Sequence, residues 1–366
     1  MSTLEMIDTR QPAKAHSAIF DCDIHPAMSS VAALNPFLSQ RWRDHLRDFG
    51  IRNREPLGGR VYPPITPALS RQDTWPKNGP PGSDLALMRR QHLDEYGVET
   101  GVLQPLTPTG REELNPDFAI AICRAMNDWQ VAEWTSQEPR LRASVCVPAE
   151  DAEAAVAEIE LQAGKRDFVQ VFLQPRLREP LGSRRYWPVY EAAMRHGFPV
   201  GLHVGGNSGL PITPSGWPCT YGENHFQHSV AMQAAIANLV IEGVFEKLPD
   251  LKIVVVEGGF AWVPGLCAQL DYYWNRLRAE VPHLKRPPSE YIRSNIWFTT
   301  QPMDEPERRM DILDVFEWVG WDRLMYASDY PHWDGDHPRL AFPAAIPEAQ
   351  MKAVLSDNAR RVFRLS

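Results

Sequence analysis

The stretch AIFDCDIHP, residues 18–26, is a short apolar run that ends in turn-forming residues. Runs of this kind are typical of β-strands buried on both faces. Seven further runs follow along the chain: VETGVLQPL (98–106), LRASVCVP (141–148), FVQVFLQP (168–175), FPVGLHVGG (198–206), LKIVVVEGG (251–259), IWFTTQP (296–302) and LMYASDYPH (324–332). Because segments of helical periodicity lie between these runs, the sequence predicts eight strands that alternate with helices.

The predicted helices begin and end at residues with known positional preferences. The helix that starts at Asn115 has Pro116 in its first turn, and the helix that starts at Glu223 is closed by Pro249. The predicted helices cover residues 83–97, 115–134, 150–164, 185–197, 223–248, 262–280, 305–320 and 347–363. Eight consecutive strand–helix units, whose strands must be covered on both faces, predict an α/β protein with a (β/α)8 TIM barrel.

A doubly wound open sheet is the alternative architecture for alternating strands and helices. Such a sheet is expected to carry a glycine-rich phosphate loop after an early strand, and the sequence contains no G-x-G-x-x-G. We therefore predict a single barrel domain over residues 1–366, with residues 27–82 as an inserted segment after strand one. Shorter insertions at 206–222 and 331–345 also follow strand ends, so we expect lid-like loops on the C-terminal face, where barrel active sites are built.

Composition and charge exclude several classes of protein. The chain has a formal net charge of −8 and no run of five or more Lys or Arg, which argues against partners such as nucleic acid or an anionic membrane surface. The N-terminal residues lack a secretion signal, and no apolar stretch is long enough to span a bilayer, so we expect a cytoplasmic protein. The five cysteines are widely spaced without a C-x-x-C, which excludes a disulfide framework and a thiolate zinc site.

Polar side chains recur at the C-terminal ends of four apolar strands. In strand one, Asp21, Asp23 and His25 are expected on one face, because side chains at alternate positions point the same way. Three more strand ends contribute one polar residue each: His203, Glu257 and Asp329. A lone buried histidine or a capping aspartate would explain each residue separately. Together they favour a metal site, since buried carboxylates and imidazoles are costly unless they are paired or bind a cation.

The order of these motifs resembles a known family. The D-x-H of residues 23–25, the histidine at 203, the S-D-Y-P-H of residues 328–332 and the closing LSDNARRVF of residues 355–363 are similar to amidohydrolase-related proteins of the aminocarboxymuconate-semialdehyde decarboxylase type. The resemblance spans roughly residues 18–363. It implies a metal-dependent barrel enzyme that decarboxylates a small aromatic or unsaturated carboxylic acid.

The resemblance also implies one divalent ion and its ligands. The implied ligands are Asp23, His25, His203 and Asp329. Two oxygens and two nitrogens suit zinc, which we expect, with manganese and iron as alternatives. The family usually has a histidine at the end of strand six, where this chain has Glu257; we expect Glu257 and Asp329 to be catalytic. Asp21 is expected to orient a neighbouring ligand rather than bind the ion.

Further residues are candidates for binding a planar carboxylated substrate. An arginine would pair with the carboxylate, aromatic side chains would form a wall, and polar groups at the strand ends would donate hydrogen bonds. The candidates are Arg71, Trp217, Tyr221, Gln301 and His332. The 12 tryptophans favour a homo-oligomer, because aromatic residues are enriched at interfaces.

Two other functions stay open at this point. A metal-dependent hydrolase of a small cyclic, lactone, amide or C–C substrate would use the same ligands, with Glu257 as the base for water. A non-catalytic barrel that binds a small molecule would need no such set of metal-binding residues. A metal-free lactonase is a third alternative, but its metal positions would be missing, whereas here all four are filled.

Overall fold

The computed structural model describes residues 18–51, 69–106, 109–110, 115–206, 211–343 and 346–365. Eight strands form one sheet in chain order, and each pairs in parallel with the next. They are β1 (Ile19–Ile24), β2 (Val98–Leu103), β3 (Leu141–Cys146), β4 (Phe168–Leu173), β5 (Val200–His203), β6 (Ile253–Val256), β7 (Ile296–Thr299) and β8 (Leu324–Met325).

The segment after β8 returns to β1. The Cys22 N–H donates to the Tyr326 carbonyl at 3.0 Å, and the His25 N–H donates to the Tyr330 carbonyl at 2.8 Å. These bonds join the last strand to the first, and helices alternate with the strands around the sheet. The predicted (β/α)8 barrel is therefore confirmed.

The α-helices cover the outside of the barrel and contribute, with the strands, to a continuous buried core. They are α1 (Gln40–Phe49), α2 (Leu85–Met88), α3 (Pro116–Gln130), α4 (Ala152–Gln162), α5 (Trp187–His196), α6 (Tyr221–Ile241), α7 (Val244–Lys247), α8 (Val263–Leu277), α9 (Pro288–Asn295), α10 (Ile312–Val319), α11 (Glu348–Lys352) and α12 (Asn358–Phe363). Three π-helical segments extend α2, α3 and α11: Arg89–Asp94, Val131–Thr135 and Ala353–Asp357.

Several helical regions differ from the sequence prediction, among them α1, which lies in the segment predicted only as an insertion. The helix predicted over 223–248 is interrupted between α6 and α7, because Gly243 adopts a left-handed φ of 81° there. The eight-residue α9 was not predicted, since it is shorter than the window over which helical periodicity becomes visible. Among the helices of the described ranges, none combines the length and hydropathy of a bilayer-spanning segment.

Strand β1 departs from the two-residue alternation that the sequence predicted. Its register against β2 shifts between Asp21 and Ile24, as in a β-bulge. Asp21 is bonded to His92, in the helical segment before β2, and does not join the group of ligand atoms around Asp23 and His25. The expectation that these three polar residues share one face is therefore wrong for Asp21, because the bulge breaks the alternation.

Candidate metal centre

The four residues predicted to bind a metal lie together at the C-terminal ends of β1, β5 and β8. The His25 Nε2 is 3.3 Å from the Asp23 Oδ1 and 2.7 Å from the Asp329 Oδ1. The His203 Nε2 is 3.6 Å from the Asp23 Oδ2. All four side chains are buried. The barrel therefore brings two carboxylates and two imidazoles into two overlapping groups of ligand atoms that share His25.

The two imidazoles present their Nε2 atoms to this point. The Nδ1 of His25 lies 2.8 Å from the Gln104 carbonyl oxygen, and the Nδ1 of His203 lies 2.8 Å from the Val204 carbonyl oxygen. Because a carbonyl oxygen can only accept, Nδ1 carries the proton in each ring. In the neutral rings, each Nε2 then offers a lone pair, as a metal-binding histidine does.

Several buried polar atoms at this point lack a well-formed hydrogen bond within the described residues. They are both carboxylate oxygens of Asp23 and the Nε2 of His203, whose neighbours are only the other charged groups of the cluster, the His25 Nε2 at 3.3 Å from the Asp23 Oδ1 and the Glu257 Oε2 at 3.1 Å from the His203 Nε2. Buried polar atoms are almost always paired, so atoms left unpaired around one centre fit a bound cation. The donor set of carboxylate oxygens and imidazole nitrogens suits a divalent ion such as zinc, manganese or iron.

Electrostatics at the centre also fit a cation. Burial raises the pKa of Asp23 above its ordinary value. Burial lowers the pKa of His203, but the charges of Asp23 and Glu257 outweigh this and raise that pKa well above the ordinary value. The carboxylates of Asp23, Glu257 and Asp329 all lie at the centre. They favour a proton on the His203 imidazole, whose positive charge takes the place of the charge that a bound divalent ion would provide.

Glu257 lies inside this cluster. Its Oε2 is 3.1 Å from the His203 Nε2, and its backbone N–H donates to the Thr299 hydroxyl at 3.1 Å. A carboxylate oxygen of Glu257 lies within 4.8 Å of ligand atoms of Asp23, His25 and His203. Its position beside the proposed ion is the one that an acid or base acting on a bound substrate or water requires.

Two of the predicted substrate-binding residues contact Asp329. The Nδ1 of His332 is 2.6 Å from the Asp329 Oδ1, and its ring centroid is 4.5 Å from that of His25. The Gln301 amide donates to the Asp329 Oδ2 at 3.0 Å. Burial lowers the pKa of His332, but the Asp329 charge and hydrogen bond raise that pKa to about 9.

The other predicted substrate-binding residues lie farther out. Tyr221, at the start of α6, accepts a hydrogen bond from the Trp333 indole at 2.9 Å. The Trp217 side chain is half exposed. The Arg71 guanidinium donates to both carboxylate oxygens of Asp73, at 3.1 and 2.8 Å, so its charge is committed to a neighbour two residues away. The structure thus brings His332 and Gln301 to the centre, and leaves Arg71 and Trp217 outside it.

A cavity of about 360 Å³ opens beside the centre. His25 and His332 form one wall of it, and its apolar wall includes Met28, Val31 and Leu106. A cavity of about 150 Å³ is large enough to hold benzene. The space beside the proposed ion is therefore large enough for a substituted aromatic ring.

Sequence reasoning missed His92 and Ser328. Ser328 lies within the S-D-Y-P-H motif, so its position next to Asp329 was a usable signal. His92 lies in the helical segment before β2, away from the C-terminal strand ends where the motifs lie, and only the fold brings it to Asp21, with its Nε2 2.8 Å from the Asp21 Oδ2.

A (β/α)8 barrel with carboxylates and imidazoles converging at the C-terminal strand ends has the architecture of a metal-dependent barrel enzyme. The sequence model of the amidohydrolase family matches residues 20–365, and the chain belongs to this family. This confirms the resemblance that the strand-end motifs carried.

Curated relatives and solved structures are similar along most of the chain. A gamma-resorcylate decarboxylase of Polaromonas sp. is 25% identical over 311 residues, covering 80% of this chain and 91% of that protein. A gamma-resorcylate decarboxylase of Rhizobium sp. is 26% identical over 296 residues, covering 77% and 88%.

Two crystal structures share the fold. A dihydroxybenzoic acid decarboxylase from Polaromonas sp., with bound manganese and the inhibitor 2-nitroresorcinol, superposes with a TM-score of 0.68 at 20% identity, covering 96% of this chain and 98% of that one. A 5-carboxyvanillate decarboxylase from Sphingomonas paucimobilis superposes with a TM-score of 0.71 at 20% identity, covering 96% and 100%.

Proposed function

We propose that the protein is a metal-dependent decarboxylase of a small aromatic or unsaturated carboxylic acid. The observation that carries the proposal is the buried cluster of Asp23, His25, His203 and Asp329 beside a cavity large enough for an aromatic ring. The relatives named gamma-resorcylate, dihydroxybenzoic acid and 5-carboxyvanillate decarboxylases support the same reaction class.

One divalent ion is proposed, held by those four residues. When bound, the ion would polarise oxygen atoms of the substrate. Zinc, the ion first expected from the ligand set, stays a prediction. The manganese bound in the related dihydroxybenzoic acid decarboxylase makes manganese the first ion to test, and both ions suit a set of two oxygens and two nitrogens.

The chain's own residues would position the acid and move one proton. His332 and the apolar residues of the cavity wall would hold the substrate ring beside His25. The bond between the ring carbon and its carboxylate breaks, CO₂ leaves, and the electron pair remains on the carbon. That carbon then takes a proton, which we assign to Glu257, buried beside His203. Burial raises the pKa of this group, but the His203 hydrogen bond and the His203 and His332 charges outweigh this and lower that pKa, so its carboxylate would first take up that proton from solvent. Asp329, whose Oδ1 lies 2.6 Å from the His332 Nδ1, would fix the His332 ring.

The test combines metal content with a substrate screen. Untagged protein purified without chelator is analysed for metal, and manganese- and zinc-loaded samples are incubated with hydroxylated and methoxylated benzoic acids while CO₂ and the decarboxylated product are measured. We expect about one equivalent of metal and turnover of at least one acid. Asp329→Ala should lose both, whereas Asp48→Ala, at an exposed carboxylate of α1, should keep both.

A metal-dependent hydrolase is the second candidate, because Glu257 beside the proposed ion is also placed to activate water. Hydrolysis of lactones or amides by a protein that leaves every aromatic acid unchanged would favour this candidate. A protein that binds no metal and converts neither class would favour the remaining candidate, a non-catalytic barrel that binds a ligand.

Several further expectations from the sequence stay predictions. They are a single domain over residues 1–366 with residues 27–82 as a lid, a homo-oligomeric state and a cytoplasmic location. Residues 52–68 of the proposed lid lie outside the described residues.

Recruitment of Arg71 to a substrate carboxylate would require its guanidinium to leave Asp73.

A further inference from the structure

We infer that Asp21, His92 and Ser328 form a buried hydrogen-bonded group, here called the Asp21 cluster, that positions the proposed metal ligands Asp23 and Asp329. All three side chains are buried. The inference rests on the proposed metal centre and extends it to residues that do not contact the ion.

Asp21 connects the strands that carry the two carboxylate ligands. Its Oδ1 accepts the Asp23 N–H at 3.1 Å and the Ser328 N–H at 2.9 Å. Its Oδ2 accepts the Ser328 hydroxyl at 2.6 Å and lies 2.8 Å from the His92 Nε2. These four contacts use the full accepting capacity of the carboxylate. Asp21 therefore fixes the backbone of Asp23 relative to the residue that precedes Asp329.

Ser328 holds the backbone on both sides of Asp329. Its hydroxyl donates to Asp21 and accepts the Tyr330 N–H at 3.1 Å. Between these contacts, Asp329 has a left-handed φ of 58°, and its own N–H donates to the Asp23 carbonyl at 3.1 Å. A non-glycine residue persists in this conformation only where its surroundings impose it. The Ser328 hydroxyl supplies part of that constraint.

His92 completes the cluster from the helix layer. Its ring stacks on Tyr330, with centroids 4.8 Å apart and planes 20° from parallel. The Tyr330 carbonyl in turn accepts the His25 N–H at 2.8 Å, so His92 also supports the third ligand. His92 belongs to the π-helical segment Arg89–Asp94. Single-turn π-helical segments frequently occur at functional sites.

A purely structural role explains the Asp21 cluster poorly. Apolar side chains of similar volume would fill the same space without the cost of burying a carboxylate. The contacts instead converge on the backbone of Asp23 and on the residues flanking Asp329. Groups that orient metal ligands in this way typically change metal affinity by about 10–100-fold when they are removed.

The test compares metal affinity with folding stability in the full chain. The variants are Asp21→Asn, Ser328→Ala and His92→Gln. The matched control is Asn127→Ala, because the buried Asn127 side chain also bonds a strand backbone, accepting the Cys146 N–H at 2.8 Å and donating to the Cys146 carbonyl at 2.9 Å, but contacts no proposed ligand. Affinity for manganese and for zinc is measured by competition with a chromophoric chelator, and stability by chemical unfolding of the metal-free proteins.

We expect Asp21→Asn and Ser328→Ala to weaken metal binding about 10–100-fold. Asn127→Ala should stay within about twofold of the parent, even where it loses as much stability. His92→Gln keeps a side-chain donor, so it should show a smaller loss of metal affinity. If the other two variants fail to fold, the metal affinity of His92→Gln tests the inference. Variants that bind metal as tightly as the parent would overturn the inference. A parent that binds metal but decarboxylates nothing would refute the proposed reaction alone, whereas a parent that binds no metal would overturn both the metal centre and the role of the Asp21 cluster.

Discussion

Asp336, in the loop after β8, provides a sharp test of the electrostatics around the centre. Burial raises the pKa of its carboxyl group from the ordinary 3.8 to about 7, and the charges of Asp334, Glu305 and Asp329 add to that effect. Among the described residues its Oδ2 is buried without a hydrogen-bond partner, while a backbone hydrogen bond from Met303 to the carboxyl group offsets part of the increase in its pKa. The folded protein therefore favours the neutral acid, while the unfolded chain ionises near the ordinary value.

The sign of the pH dependence follows from proton binding. Between about pH 4 and pH 7 the folded state holds a proton on Asp336 that the unfolded state has lost, so the free energy of unfolding falls as pH rises. Below about pH 3 both states are protonated and the group makes almost no difference. The gap between about 7 and 3.8 corresponds to about 4 kcal/mol at about 1.4 kcal/mol per pKa unit. Because Asp336 is partly exposed, solvent screening reduces the expected effect to about 2 kcal/mol.

Asp336→Asn removes the ionisable group and keeps its shape. At pH 8 the variant should be about 2 kcal/mol more stable than the parent, and at about pH 3 the two should be nearly equal. Chemical unfolding of metal-free protein at both pH values measures the difference, with Asp48→Asn at an exposed position as the control. Equal stability at pH 8, or a gain that is the same at both pH values, would refute this account of Asp336.

Three further predictions concern the site and the barrel. Glu257→Gln should lower kcat by about 100-fold or more while about one equivalent of metal is retained, and unchanged turnover would remove Glu257 from its proposed role. Val31→Trp should fill the cavity beside His25 and raise KM at least tenfold without changing metal content; an unchanged KM would place the substrate elsewhere. Gly201→Ala should cost about 1–3 kcal/mol in chemical unfolding, because its Cβ would lie 2.4 Å from the Gln170 Oε1 in the barrel interior, and a smaller loss would mean that Gln170 moves aside.

The strands and the proposed ligands were predictable because they depend on local pattern. Apolar runs that end in turn residues identify the strands, and parallel strands in a barrel bring their C-terminal ends to one face. His203 and Asp329 could therefore be placed beside Asp23 without coordinates, and Glu257 with them. The structure places Asp23, His203 and Glu257 in one group of ligand atoms and Asp329 in a second group, which shares His25 and Glu257 with the first.

The remaining site features depend on contacts that a pattern does not contain. Asp21 could not be assigned to the correct side because the β-bulge in β1 interrupts the alternation on which the prediction rested. His92 is one polar residue of a helical segment, and its contact with Asp21 joins positions 71 residues apart. Arg71 was assigned to a substrate carboxylate, although Asp73, two residues on, offers a closer carboxylate.

Glu257 and Asp329 show how the backbone itself serves the proposed site. Both have a left-handed φ of 58° although neither is a glycine. A conformation of this kind costs about 1–3 kcal/mol, and it is less unfavourable for aspartate than for glutamate. Each residue follows a strand, β6 or β8, and each directs a carboxylate toward His203 or His25. The strain at these two strand ends is therefore tied to bringing two negative charges to one point, which is useful only where a positive charge is to be bound. Two such departures from ordinary backbone preference at one cluster add to the support that the ligand types give to the metal centre.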